Sequence, residues 1–215
     1  QDRLYRNEGL TAGRSHPFFT DVSKEAGIKE DGYGLGVVIT DVNNDNRPDI
    51  YVANDYIAND LLWLNNGNGT FSNISSTALN HQSYNSMGVD AADINNDLLP
   101  DLASLDMLPE NNERKKMMLN ATNQQKFDMQ QRFGYEPSVM RNMLHLNNGN
   151  RKINNRNEPF YSEIGQMAGV FETDWSWSVL MADFDNDGWK DIHVTNGLAK
   201  DVTNNDYATF RNTQA

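Results

Sequence analysis

Three stretches of the chain set acidic and amide side chains at a fixed spacing. The most complete is Asp183-Phe184-Asp185-Asn186-Asp187-Gly188-Trp189-Lys190-Asp191, with aspartate at the first, third, fifth and ninth positions and glycine at the sixth. Asp41-Val42-Asn43-Asn44-Asp45-Asn46-Arg47-Pro48-Asp49 and Asp93-Ile94-Asn95-Asn96-Asp97-Leu98-Leu99-Pro100-Asp101 repeat the pattern, with asparagine at the third position. A hard cation such as calcium takes six to eight oxygen ligands at roughly 2.3–2.6 Å. A loop that turns alternate residues inward supplies them from one short segment. Glycine permits the sharp turn at the sixth position. Asn46 tolerates the left-handed backbone there and Leu98 adopts it less readily, so the middle loop is expected to be the weakest. At the seventh position Trp189 can offer only its carbonyl. An EF-hand needs a glutamate at position twelve, where Val194 stands. The flanking runs 178–182 and 192–195 are strand-like, which makes this a calcium loop between two strands. The rival reading of a lone loop of this kind is an acidic surface turn; three in register favour the metal.

The repeat that carries the loops fixes the architecture. Phe19 and Asp41 lie 22 residues apart, as do Phe71 and Asp93, and 23 residues separate Phe160 from Asp183. The underlying unit is about 52 residues. In its best-preserved copy four strands are expected: 36–40, 50–53, 61–64 and 71–74. The last two are joined by Asn65-Asn66-Gly67-Asn68-Gly69, a hairpin signal rich in residues that accept positive φ. Four short antiparallel strands per unit mark a β-propeller blade. The expected class is therefore all-β, in four-stranded blades with a metal loop between the first and second strands. The divisions are a partial blade at 1–28, a blade at 29–76, a blade at 77–166 and a partial blade at 167–215. Two complete blades are too few for a propeller of the usual four to eight. This predicts a partial propeller completed by other blades, in preference to a three-bladed ring closed by the two terminal strand pairs. Residues 106–143 break the pattern and predict a helical insertion, beginning near Pro109-Glu110, with a second helix at 124–133 ended by Gly134. Six of the nine methionines fall in 105–143, where they pack the insertion or dock a partner.

Composition narrows the function. The chain has no cysteine, which removes disulfides and thiol catalysis. It has no run of 18 apolar residues, hence no expected spanning helix. The formal net charge is −12, and three calcium ions would bring it to −6. Phosphate binding needs clustered Lys and Arg, so nucleic acid is not an expected partner. The one basic cluster, Arg114-Lys115-Lys116, reads as a solvated helix face. No nucleophile elbow, phosphate-binding glycine loop or zinc pattern occurs. His193 falls on a strand position equivalent to Tyr51 and Ala103, which argues against a catalytic base. The chain is read as not an enzyme, with no catalytic residues.

The Asp-rich loops, the Asn-Asn-Gly-Asn-Gly-Thr-Phe hairpin ending at Phe71 and the run Asp174-Trp175-Ser176-Trp177-Ser178 together resemble the FG-GAP/VCBS calcium-binding repeat proteins, which include the integrin alpha-subunit propellers. The run Met107-Leu108-Pro109-Glu110 and the run Val194-Thr195-Asn196-Gly197 look closest to the bacterial branch grouped with cartilage acidic proteins, abundant among Bacteroidetes. The resemblance implies about three calcium ions. Their side-chain ligands would be Asp41, Asn43, Asp45 and Asp49; Asp93, Asn95, Asp97 and Asp101; and Asp183, Asp185, Asp187 and Asp191. Carbonyls of Arg47, Leu99 and Trp189 would complete the sets. It also implies a secreted or cell-surface location, outer-membrane-associated in a Gram-negative bacterium, and a binding or scaffold role toward a protein or glycan. The rival reading is a noncatalytic carbohydrate-binding part of a polysaccharide-processing assembly, through Trp63, Trp175, Trp177, Trp189, Tyr33 and Tyr84. The stronger reading of Tyr33, Tyr84 and Trp175 is that they cap the blades.

Overall fold

The computed structural model describes residues 2–10, 13–56, 58–118, 124–197 and 203–214. The chain opens on a two-stranded antiparallel sheet, β1 (Tyr5–Asn7) with β2 (Phe19–Asp21), followed by the single-turn helix α1 (Ser23–Ala26). A four-stranded antiparallel sheet comes next, with strands in chain order: β3 (Gly34–Thr40), β4 (Asp49–Asn54), β5 (Leu61–Asn65) and β6 (Phe71–Asn73). These strands contain the expected runs, except that β6 stops one residue short, at Asn73. After α2 (Ser75–Ala78) and β7 (Gln82–Ser83), a second such sheet begins with β8 (Val89–Ala92) and β9 (Asp101–Ser104).

The insertion interrupts that sheet. It contributes α3 (Asn112–Met117), α4 (Gln124–Arg132) and β10 (Ser138–Val139), which pairs in parallel with β7. The first helix starts later than Pro109, because Asn111 is the better cap: its side chain accepts the Arg114 N–H at 3.1 Å. Residues 119–123 of the expected insertion lie outside the described residues, as do residues 1, 11–12, 57, 198–202 and 215 of the expected blades. The basic cluster is not simply solvated. The Arg114 guanidinium holds Asp174 at 2.6 and 2.9 Å, Lys115 pairs with Glu172, and the Asp174 N–H donates to the Leu108 carbonyl. These contacts tie the insertion to the segment that enters the next inner strand.

The second sheet is completed by β11 (Met143–Ile153) and β12 (Arg156–Glu163). Beyond a bulge at Asn147–Asn150 this hairpin runs on to a two-residue tip, Asn154-Asn155, with both φ positive at 49° and 64°. Asparagine tolerates that conformation, which closes a tight hairpin turn. After α5 (Gly165–Ala168) comes a further two-stranded sheet, β13 (Ser176–Ala182) with β14 (Asp191–Asn196), and then α6 (Asn205–Gln214), which the sequence reading did not anticipate. The first and last strand pairs do not join each other, so among the described residues no three-bladed ring forms. The architecture is mostly β, in open antiparallel sheets: a partial propeller-like array.

A repeated corner sets each outer hairpin. The backbone N–H of Val22, Ile74 and Ile164 donates to the carbonyl of Leu4, Leu62 and Leu144 respectively, at 2.8–2.9 Å. Side-chain oxygens of Asp21, Asn73 and Glu163 accept the N–H two residues on, at 3.0, 3.0 and 2.5 Å. A second clamp links the end of the second strand to the start of the third. Asp60 accepts the Asn54 N–H, and Asn142 accepts the Asp106 N–H, both at 2.8 Å. Asp60 also takes the Tyr51 and Ser86 hydroxyls; its burial pushes its carboxyl up to about 7.

Between the sheets lie apolar layers. Val42, Tyr51, Leu62, Leu64, Leu102 and Tyr161 fill the first, and Ala103, Leu105, Leu144, Val179 and Met181 fill the second. A third layer, Ala26, Ile28, Leu61 and Trp63, joins the N-terminal strand pair to the first complete sheet. Trp63 is buried there, which removes it from the candidate glycan-stacking residues.

Candidate metal centre

Each Asp-rich loop lies where its sheet turns from the first strand to the second: β3 to β4, β8 to β9, β13 to β14. The three adopt one backbone course. The fourth and sixth positions have positive φ throughout: Asn44 and Asn46 at 55° and 63°, Asn96 and Leu98 at 60° and 68°, Asn186 and Gly188 at 63° and 93°. Leu98 thus takes the conformation that its type disfavours, with its side chain in solvent.

The carboxylates direct this course. The first-position aspartate accepts two backbone N–H groups, from the fifth and sixth residues: Asp41 at 3.0 and 2.6 Å, Asp93 at 3.1 and 2.8 Å, Asp183 at 3.1 and 3.0 Å. The fifth-position carboxylate accepts the N–H of the seventh residue: Arg47 to Asp45 at 3.0 Å, Leu99 to Asp97 at 2.9 Å, Trp189 to Asp187 at 2.8 Å. The ninth aspartate folds back onto the second residue, with Asp49, Asp101 and Asp191 accepting the N–H of Val42, Ile94 and Phe184 at 2.9–3.0 Å. Asp49 and Asp101 also accept a third-strand N–H, from Asn65 at 2.7 Å and Asn147 at 2.8 Å. The first, fifth and ninth side chains of each expected set are thus bonded to the backbone of their own loop.

Burial sets the electrostatics. It pushes the Asp49 carboxyl up to about 6 and raises that of Asp101, in each case against two N–H donors and helped by the other aspartates of the loop. In the third loop, ligand atoms of Asp183, Asp185 and Asp187 all lie within 4.8 Å of one another, close enough to share one ion. In the first, Asn43 is buried; its amide donates to Asp45 and to the Asn157 carbonyl, while its Oδ1 is buried with no partner. An all-oxygen donor set with an unpartnered carbonyl oxygen fits a hard cation.

Sequence reasoning missed the residues that hold the loops. Asn147 is buried, and its amide donates to the Val42 and Pro100 carbonyls at 3.0 and 3.2 Å, which links two loops. Asn150, on the extended hairpin, donates to the Asn43 carbonyl at 2.8 Å. The Arg47 guanidinium pairs with Asp45 inside its own loop. The fourth-position asparagines connect the loops laterally, Asn44 to the Leu98 carbonyl at 3.0 Å and Asn96 to the Gly188 carbonyl at 3.1 Å. The signal was present in the paired asparagines 43–44 and 95–96, whose first member bonds within its loop and whose second reaches the neighbouring one.

No helix among the described residues is long and apolar enough to cross a membrane. No curated protein matches the chain. Residues 41–104, from the first aspartate of the first loop to the end of β9, match the family model described as FG-GAP-like repeat, so this part of the chain is similar to an FG-GAP-like repeat.

Proposed function

We propose that the chain is a calcium-stabilised module that binds or scaffolds protein partners at the cell surface or outside the cell. FG-GAP-like repeats are typically non-catalytic binding modules, and no enzymatic role is assigned here. The observation that carries the calcium reading is the threefold recurrence of one loop course, with ligand atoms of Asp183, Asp185 and Asp187 within 4.8 Å of one another in the third loop, together with the unpartnered Asn43 Oδ1. Asp41, Asn43, Asp45 and Asp49 would hold one ion; Asp93, Asn95, Asp97 and Asp101 a second; Asp183, Asp185, Asp187 and Asp191 a third. Carbonyls of the seventh residues would add to each set. A bound ion pins the turn between the first and second strands, and since it binds only the folded loop it stabilises by mass action. Millimolar calcium outside cells suits sites of modest affinity. Thermal melts with calcium and with excess chelator test the reading, and coincident curves would overturn it.

A second reading, glycan binding, has one specific observation behind it. Tyr33 and Tyr56 meet edge-on at 5.2 Å, both exposed, and Tyr135, Asn59 and Asn73 line the same open cleft with Glu30 and Asp31. Aromatic faces beside amide and carboxylate groups suit a sugar ring. A glycan array probed with calcium present tests it; binding that survives Tyr33→Ala with Tyr56→Ala would exclude this cleft.

A further inference from the structure

The outer hairpin of the second complete sheet reaches the metal loop of the first. Past the bulge at Asn147–Asn150, β11 and β12 stay paired out to Ile153 and Arg156. The matching connection in the first sheet, from Asn65 to Phe71, closes through residues 66–70 alone. Both arms of the longer hairpin bond Asn43. Asn150 Nδ2 donates to the Asn43 carbonyl at 2.8 Å, and Asn43 Nδ2 donates to the Asn157 carbonyl at 3.4 Å. Both arms also bond Thr77 in α2. The Arg151 guanidinium donates to the Thr77 carbonyl, and the Thr77 hydroxyl donates to Glu158 at 2.9 Å. The hairpin is thus fastened to the first sheet at two points.

These bonds choose the atom that Asn43 leaves free. With Nδ2 turned to Asn157 and, at 2.9 Å, to Asp45, the remaining side-chain polar atom is Oδ1, which is buried and has no partner. A buried oxygen without a donor costs free energy, and a cation there removes the cost. Asn43 and Asp45 also border a cavity of about 280 Å³ that is lined in turn by Asn155, Arg156 and Asn157 of the hairpin. Every residue of this arrangement lies between positions 43 and 158.

We infer that the ion of the first loop is a joint between two blades. Asn150 and Asn157 are its positioning residues: they fix Asn43 from the neighbouring sheet, and the hairpin that carries them slows the exit of the ion. The inference rests on the calcium reading of that loop and adds control of its exchange from the next blade. Donors held in place before binding lose less freedom when the ion arrives, and the rigidity of a calcium site helps to set its affinity. The coupling is reciprocal. Whatever the hairpin adds to the hold on the ion, the ion returns as order in the hairpin. Calcium at this loop then fastens one sheet to the next, besides pinning the turn from β3 to β4.

Calcium release tests it, followed by stopped-flow mixing of the calcium-loaded chain with an excess of a fluorescent chelator. Asp41→Asn identifies the phase that belongs to the first loop, as the phase it abolishes. Asn150 is exposed, so Asn150→Ala opens no cavity. It should speed that phase about 2–10-fold, the worth of one hydrogen bond, and leave the other phases unchanged. In a second variant residues 150–159 are replaced by the Asn-Gly-Thr of residues 68–70, which joins the same Asn-Asn-Gly run to a phenylalanine in the first sheet. Its release from the first loop should be faster still. Hydrogen exchange reads the reciprocal effect: amides of residues 151–158 should exchange more slowly in calcium than in chelator, and Asp41→Asn should abolish that difference. A parent chain that binds no calcium would overturn this inference together with the calcium reading. Calcium that is bound, but leaves the first loop at one rate from the parent and both variants, would overturn this inference alone.

Discussion

The first and third loops share a backbone course and differ in what neutralises it. In the first, the Arg47 guanidinium pairs with Asp45 and also donates to the Asn65 carbonyl at 3.3 Å. Asn43 replaces an aspartate, and the extended hairpin braces the loop through Asn150 and Asn157. The third loop has four aspartates, a glycine at its turn and no such brace among the described residues; its ninth aspartate is exposed, whereas Asp49 is buried. One loop carries part of its countercharge within its own sequence, and the other has no such ion pair among its own nine residues. On the calcium reading, the third loop should therefore depend on its ion more than the first.

The largest expected effect comes from removing calcium altogether. A site held at a hundred times its dissociation constant contributes about 2.7 kcal/mol, and for a chain of this size each kcal/mol moves the melting temperature by about 2–4 °C. Excess chelator should therefore lower it by about 5–10 °C for each occupied site, read by calorimetry. Next comes Asp187→Ala, which takes away one carboxylate of the three-aspartate cluster. In calcium it should lose a comparable 5–10 °C and one ion from the titrated stoichiometry; in chelator the loss should shrink to about 1 kcal/mol, the value of one hydrogen bond to the Trp189 N–H. Equal losses in both conditions would mean that the third loop does not depend on an ion.

Arg47→Ala sharpens the contrast from the other side. The pair is partly exposed, with 44% of the Arg47 side chain in solvent, so its loss in chelator should cost no more than about 1 kcal/mol. In calcium the cost should fall further, because the unpaired Asp45 becomes a better ligand for the ion. A variant whose loss is larger with calcium than without would reverse the roles given to the guanidinium and the metal.

The repeat was readable in the sequence because its markers are local. Aspartates at fixed spacing make the loop by bonding their own backbone, and β-branched runs beside an Asn-Gly hairpin make the strands, so both survive as patterns along the chain. What could not be read depends on long-range contact. Asn150 reaches Asn43 across 107 residues, and Asn147 reaches Val42 across 105. Arg114 meets Asp174 across 60 residues, which turned an expected solvated face into an anchor. Only the pairing of residues 150–153 with 156–159 shows that the stretch between Gly149 and Phe160 lengthens a hairpin over the first loop. Trp63 was an aromatic at a blade end until the third apolar layer buried it.

The middle loop supplies the smallest effect and the cleanest one. Asn46 and Gly188 suit the left-handed sixth position, but Leu98 occupies it at a φ of 68°. That conformation costs an L-residue roughly 1–2 kcal/mol, part of which glycine returns through its greater freedom in the unfolded chain, about 0.5–1 kcal/mol. The Leu98 side chain is 81% exposed, so its removal opens no cavity. Leu98→Gly should therefore raise stability by about 0.5–1 kcal/mol, or roughly 1–4 °C. The gain should appear in chelator as well as in calcium, since it comes from the backbone, and the Asn44 bond to the residue 98 carbonyl should be kept. If stability falls, the leucine side chain has a contact that outweighs its strain, and the middle loop is not the weakest of the three.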